Sequence, residues 1–490
     1  MRRTAGVAGS IALAMLGVVG VRMGAPTQAA ERAGCDHTRP AVAHHAGRVA
    51  LASQPVNAPV PCATTTGYPS AENRIAVTNS GAVFYAPAVM AAVGTTSCPS
   101  NFADSLCTGI ARTTNDGESW SAILPPGPFA TPGVQYTAQD HQLFVDKSTG
   151  RLFWQNPTNF EDPQGSALVF SDDDGATWVY SATCCGPTEN PRLTFAPPTF
   201  GQVLPVGYPN VVYFCSDLGP IFVPTARHCQ KSLDGGNTWE LHTSMLFSSP
   251  VPQHPECGSS GEKFGPGDGN YPQAASDGSL YVMVQCGGQS YLARSTDEAT
   301  TWPIVRTTTG DPLTIPTGNE LRIDRSDNFY LVASSNPTEL TLRVSRDMGV
   351  TWGAPLDVIA PGVNAINKWY VAVGEPGHVA VSYYGQTIDQ LTWDGYLTDT
   401  TDALDADPVF WSAQLNDPAT PLLFASALPV QTNGQLDYIG VDIGPDGTPW
   451  ASFLQQCGAS PLDASCTSRL PERPVTNNSV GFAGRLAPAT

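Results

Sequence analysis

The chain is short of cations: 24 Lys plus Arg stand against 43 Asp plus Glu in 490 residues, a formal net charge of −19. A nucleic acid or an anionic membrane surface is gripped by clustered cations, so neither is expected as a partner. Long apolar runs are also scarce. Ala5 to Val21 is the one such stretch; it follows "MRR" and precedes the small residues of "TQAA". That layout reads as a secretory signal peptide over residues 1–30, cleaved near Ala29 or Ala30, with no membrane span after it. The expectation is a secreted, extracellular, monomeric protein. There is no phosphate-binding loop, no dinucleotide fingerprint and no GxSxG, and with no CxxC or His-rich spacing metal binding through sulfur is the minor reading beside disulfides. No cofactor is identified. Structural calcium is weighed at "GPGDGN" (265–270) and "TDTTDALDAD" (398–407), but both stretches read as solvated turns and neither fits an EF-hand.

What the chain has is turn-forming residues, cysteines and a repeat. Its 47 glycines and 44 prolines, with no collagen period, punctuate many short strands. All twelve cysteines follow the signal segment, and an even number in an exported chain points to disulfides. Sequence proximity pairs Cys98 with Cys107, Cys215 with Cys229, Cys257 with Cys286, and Cys457 with Cys466. Cys35, Cys62, Cys184 and Cys185 are left unassigned.

The repeat has five copies: "TTNDGESW" from 113, "SDDDGATW" from 171, "SLDGGNTW" from 232, "STDEATTW" from 295 and "SRDMGVTW" from 345. Each letter has a physical reason. An aspartate accepts backbone N–H bonds across a tight turn and a serine or threonine hydroxyl does so more weakly. Glycine takes the positive φ, and tryptophan opens the next strand with a large apolar face. Asp173, Asp234, Asp297 and Asp347, with Trp120, Trp178, Trp239, Trp302 and Trp352, are therefore read as structural. The phrase is the Asp-box, or BNR repeat, and the chain resembles sialidase-like β-propellers over most of its mature length. The resemblance implies that the boxes join the third and fourth strands of each blade, on the face opposite the active site.

Turn-separated strand pairs, among them "IAVTNSGAVFYA" (75–86), "QVLPVGYPNVVYF" (202–214) and "YIGVDIGPDGTPWASF" (438–453), supply the first and second strands of seven candidate blades. The expected fold is all-β: a β-propeller of four-stranded antiparallel blades, seven favoured and six the alternative should the 202–214 hairpin be misread. Residues 31–490 form one domain. Its last blade is expected to borrow an outer strand from the N-terminus, near 47–53.

Residues just before the inner strands would converge on the axis, away from the boxes. His141, Tyr271, Trp369 and Tyr370 suit a sugar, whose rings stack on aromatics and whose hydroxyls bridge to polar groups. The resemblance implies a tyrosine nucleophile activated by a glutamate, an aspartate acid/base and three arginines for a carboxylate. Arg74 in "NRIA" and Glu320 in "GNELRI" match in part, Tyr438 or Tyr370 stands for the nucleophile, and Asp140 is the best-placed carboxylate. One arginine of three is recognised. The function expected is binding of, or action on, an extracellular glycan at the axial face, with ligand unknown. The alternatives are a true exo-sialidase and a non-enzymatic protein-binding scaffold.

Overall fold

The computed structural model describes residues 34–70, 72–91, 107–123, 141–157, 166–181, 188–199, 202, 204, 207–218, 226–248, 254–260, 271–387, 392–424, 439–456 and 479–489. The signal segment, the "GPGDGN" stretch, and Cys98, Cys184, Cys185, Cys457 and Cys466 lie outside them. Seven antiparallel sheets stand around an axis as the blades of a propeller. From the inside outward, blade I is Arg74–Val77, Val83–Ala91, Cys107–Thr113 and Ser121–Ile123. Blade II is Gln142–Val145, Leu152–Pro157, Ser166–Ser171 and Val179–Ser181. Blade III is Thr188–Ala196, Val211–Leu218, Ala226–Ser232 and Glu240–Ser248. Blade IV is Gln273–Ala274, Leu280–Cys286, Gln289–Ser295 and Thr314–Ile315. Blade V is Glu320–Ile323, Phe329–Ala333, Thr341–Ser345 and Leu356–Asp357. Blade VI is Val363–Val373, Val379–Thr387, Thr392–Thr400 and Phe410–Gln414. Blade VII is Gly440–Ile443, Pro449–Gln456, Ser479–Ala487 and Val60–Pro69. The helical element among the described residues is one 3-10 turn, Pro255–Ser260.

The second strands explain how the ring coheres. Adjacent aromatics on a strand point to opposite faces, so a pair of them can pack against both neighbouring blades. Phe84–Tyr85, Phe153–Trp154, Tyr213–Phe214, Phe329–Tyr330 and Tyr383–Tyr384 are such pairs, and all ten side chains are buried. Phe84 meets Trp154 between blades I and II, Phe153 meets Phe214 between II and III, and Tyr330 meets Tyr383 between V and VI. Among the described residues each interface between consecutive blades holds its own apolar cluster.

The five copies of the repeat close the third-to-fourth strand connections of blades I to V with one hydrogen-bond pattern. At Asp173, Oδ1 accepts from the Ser171 hydroxyl at 2.8 Å and from the Thr177 amide at 2.8 Å, while Oδ2 accepts the Thr177 hydroxyl at 2.6 Å. The Ser171 hydroxyl in turn accepts the Gly175 amide at 2.8 Å. Asp234, Asp297 and Asp347 repeat this with the same partners, and Asn115 substitutes its amide oxygen in the first copy. The tryptophan then packs between blades: Trp120 and Trp302 are buried, and Trp178, Trp239 and Trp352 are half-buried at the sheet edges. In blade VI the Asp-rich stretch forms a widened version. Asp402 accepts from the Thr400 hydroxyl and from the Val409 amide, so its carboxylate serves the turn.

Two expectations are corrected. The strand that closes blade VII is Val60–Pro69, not 47–53: Val60 pairs with Ala487 and Thr65 with Phe482. Residues 47–53 make a turn in which Val49 is 80% exposed and Ala50 bridges only to His44. The closing strand was inconspicuous because it is threonine-rich rather than apolar, although threonine favours strands equally well. Val42–His44 instead adds a fifth, outer strand to blade VI. In blade III, the inner strand is Thr188–Ala196, paired with Val211–Leu218, so the hairpin read at 202–214 was one strand out. Pro191, tolerated at a register shift between Glu189 and Arg192, disguised that strand. Seven blades stand all the same.

Three disulfides lie within the described residues. Cys215–Cys229 and Cys257–Cys286 are pairs the spacing favoured, and Cys35–Cys62 joins two cysteines left unassigned. Cys62 sits in the closing strand, so the bridge ties the segment before it to blade VII.

Candidate functional site

Because consecutive strands alternate in direction, the repeated turns all fall at one end of the ring and the inner strands all begin at the other. At the turn end one lysine ties three adjacent inner strands together. Lys147 donates to the Val77 carbonyl at 2.7 Å, to Asp442 Oδ2 at 2.8 Å and to the Ile443 carbonyl at 3.1 Å, joining blades II, I and VII. The strand-start end is where polar and aromatic side chains gather, in three groups.

Arg74 is the first residue of the inner strand of blade I and is 6% exposed. Its Nε donates to Gln142 Oε1 at 2.8 Å, one Nη to the Ile439 carbonyl at 2.6 Å and the other Nη to the Tyr370 hydroxyl at 2.9 Å. The guanidinium carbon also lies 4.2 Å from the Tyr370 ring centroid. One side chain thus ties blades I, II, VI and VII and fixes the direction of the Tyr370 phenol. Tyr370 and Trp369 are half-buried on the inner strand of blade VI, which runs longer than its six counterparts. Just before them, Lys368 has φ +40, and the register shifts between Asn367 and Trp369. A left-handed non-glycine at a bulge is strained backbone, held in place by the surrounding structure.

Glu320 opens the inner strand of blade V and is 2% exposed. Two residues on, and hence on the same side of the strand, Arg322 forms an ion pair with it. Arg322 also donates from Nε to the Val371 carbonyl of blade VI at 3.3 Å. The third group centres on Tyr271, 3% exposed, whose ring centroid lies 4.1 Å from the guanidinium carbon of Arg227 and 5.0 Å from that of Arg192. Both arginines belong to blade III, on its third and inner strands.

His141 is fully enclosed, and accepts from Trp154 Nε1 at 3.3 Å on Nδ1. It packs against the Trp154 ring, with centroids 6.3 Å apart, and so supports the aromatic packing of blade II. Asp140 and Tyr438 lie outside the described residues. Sequence reasoning missed Arg192, Arg227 and Arg322. Arg322 was legible in "ELRI", where i and i+2 share a side; the two from blade III were hidden with its misplaced inner strand. It also missed Glu72, a buried carboxylate two residues before Arg74 with φ +44, for which the sequence holds no local signal.

The fold and this axial arrangement define a seven-bladed β-propeller whose chemistry-bearing side chains collect at the strand-start mouth. No protein-family model matches the chain, and no curated protein matches it. Solved structures do align with it. A protein from Dyadobacter fermentans is 12% identical over 72% of this chain and 95% of its own, at a TM-score of 0.40. An α-L-arabinofuranosidase from Fusarium graminearum is 12% identical over 71% of this chain and 95% of its own, at 0.38. The NanB sialidase from Streptococcus pneumoniae is 13% identical over 90% of this chain and 71% of its own, at 0.36. At such identities and scores none of these likenesses transfers an activity.

Proposed function

We propose that the chain is a secreted Asp-box propeller of the sialidase-like kind that binds an extracellular glycan at the strand-start mouth. The observation that carries this reading is the gathering there of Arg74 with Tyr370, of Arg322 with Glu320, and of Arg192 and Arg227 around Tyr271, with Trp369 half-buried next to Tyr370 on the same strand. Half-buried aromatics beside ordered cation–carboxylate and cation–phenol contacts suit a ligand with both flat apolar faces and hydroxyls. Disulfides agree with an oxidising destination. Among the described residues no helix is long and apolar enough to cross a membrane.

Hydrolysis of sialosides is the second reading, favoured by the arginines that the blade III and V inner strands bring to this end. Against it, the bonds of Arg74 run to Gln142, Ile439 and Tyr370, and Arg322 is engaged by Glu320. A substrate carboxylate would have to displace protein partners from both. In that reading Asp140 stands for the acid/base, Tyr370 or Tyr438 for the nucleophile, and Glu320 for its activator.

The test is a fluorogenic sialoside assay run beside glycan-array binding, on the native protein and on Tyr370→Phe, Trp369→Ala and Glu320→Gln variants of unchanged thermal midpoint. Tyr370→Phe removes only a hydroxyl and leaves the ring under Arg74. The expected result is array binding weakened about tenfold or more by Trp369→Ala, with no turnover. Turnover lost in Tyr370→Phe and Glu320→Gln would establish the hydrolase. Array binding indifferent to all three variants would sink the axial reading.

A further inference from the structure

A cavity of about 760 Å³ opens on the flank of the ring between blades III and IV, away from the start of the inner strands. From blade III it receives Tyr213, Lys231 and Glu240, cross-strand neighbours in one row. From blade IV it receives the fourth repeated turn and the strand segment after it, including Glu298, Trp302 and Arg306. Glu256, from the Pro255–Ser260 turn, completes the rim.

Three independent features make this a built site. The first is in the repeat. The fourth copy is the one in which alanine replaces the left-handed glycine: Ala299 has φ +63, where Gly117, Gly175, Gly236 and Gly349 have φ between +78 and +94. Its methyl bears a steric cost that glycine avoids. Both Ala299 and Glu298, whose carboxylate reaches across to Lys231, line the cavity. The copy that lacks the left-handed glycine is therefore the one that faces the cavity.

The second is an unmet bond. Tyr213 is 1% exposed and lines the cavity, and its hydroxyl makes no hydrogen bond in the structure. The buried hydroxyls of Tyr85, Tyr330, Tyr383 and Tyr384 are all bonded. The hydroxyl oxygen is not itself sealed off, so it presents a donor and an acceptor to whatever enters the cavity. The third is rigidity. Cys215–Cys229 staples the two blade III strands behind the cavity, and Cys257–Cys286 fastens the rim turn to blade IV.

The charges choose the ligand class. Lys231 lies between Glu298 and, at 3.4 Å, Glu240, and Arg306 is paired with Glu256. Every cation is already matched by a carboxylate, so nothing here calls for an acidic sugar. What the cavity offers is carboxylate acceptors, ammonium and phenol donors and a phenol acceptor close together, the mixture that hydroxyl groups satisfy because each both donates and accepts. We infer that this flank cavity binds a short neutral oligosaccharide, independently of the axial mouth.

The experiment is a glycan array carrying neutral and sialylated oligosaccharides, followed by calorimetry with the best neutral binder. It uses the disulfide-intact protein, Tyr213→Phe, Glu298→Gln and, for the axial mouth, Tyr370→Phe. Tyr213→Phe deletes a hydroxyl that holds nothing in the protein, so its melting point should not move. Its affinity should fall about fivefold to tenfold, and that of Glu298→Gln at least as far. Tyr370→Phe should bind the neutral sugar as the native protein does. The inference is overturned if no neutral glycan binds, or if both flank variants bind with native affinity. It is overturned equally if Tyr370→Phe alone abolishes binding, which would assign the sugar to the axial mouth.

Discussion

Asp394, on the third strand of blade VI, is a carboxylate held where its neutral form is favoured. It is 1% exposed, and burial pushes its pKa up to about 6, against the opposing hydrogen bonds of Asn416 and Gln414 and the charge of Arg39. The unfolded chain ionises it near the ordinary value, so the folded state holds the extra proton between about pH 4 and 6. Its contribution is fully present below that window and is lost as pH rises through it. Asp394→Asn should therefore raise the thermal midpoint at pH 7, by the equivalent of up to about 3 kcal/mol, and leave it unchanged at pH 4. Melting curves of both proteins across that range check it; an equal shift at both pH values would mean that the carboxylate stays ionised in the fold. Nothing in "TWDGYL" announces this residue, because its burial depends on strands from elsewhere in the chain. The same holds for Glu72 and for the unbonded hydroxyl of Tyr213. By contrast Asp173 and its counterparts were legible one by one, since every partner they bond lies within four residues.

The elements were read correctly where local chemistry was repeated and misread where one element was atypical. The repeated turn recurs five times, four with serine and aspartate and once with Thr113 and Asn115, and its bonds close within eight residues, so the sequence alone carries it. The inner strand of blade III carries a proline at a register shift, and that one disguise concealed Arg192 and, with it, the cation pair around Tyr271. The closing strand, Val60–Pro69, yields a prediction of its own. A chain beginning near residue 57 loses the Cys35–Cys62 bridge and the fifth strand of blade VI but keeps blade VII complete. A chain beginning near residue 72 leaves the whole length of Ser479–Ala487 as an open edge, a template for pairing with another copy. The first should elute as the intact protein does, with a lower thermal midpoint. The second should elute as aggregate; a well-behaved monomer would show that the last blade does not need its borrowed strand.

For the whole molecule, stability is spread over seven interfaces rather than concentrated in one core. Two of the three described disulfides serve blades III and IV. Bridges spanning 14 and 29 residues each contribute on the order of 3 kcal/mol. Reduction should lower the melting point and should first accelerate hydrogen exchange in Val211–Leu218, Ala226–Ser232 and Leu280–Cys286. Uniform loosening around the ring would contradict that order. Seven blades in sequence order could be counted from turns and hairpins; how the ring was fastened could not, because the fastening strand pairs with residues more than four hundred positions away. That fastening also sets the tempo of folding. Blades I to VI can each form from neighbouring residues, whereas blade VII must await both extremes of the described chain, and contacts so distant along the chain are slow to find. The first long strand to be made is thus among the last to be placed, and ring closure becomes the step on which refolding waits.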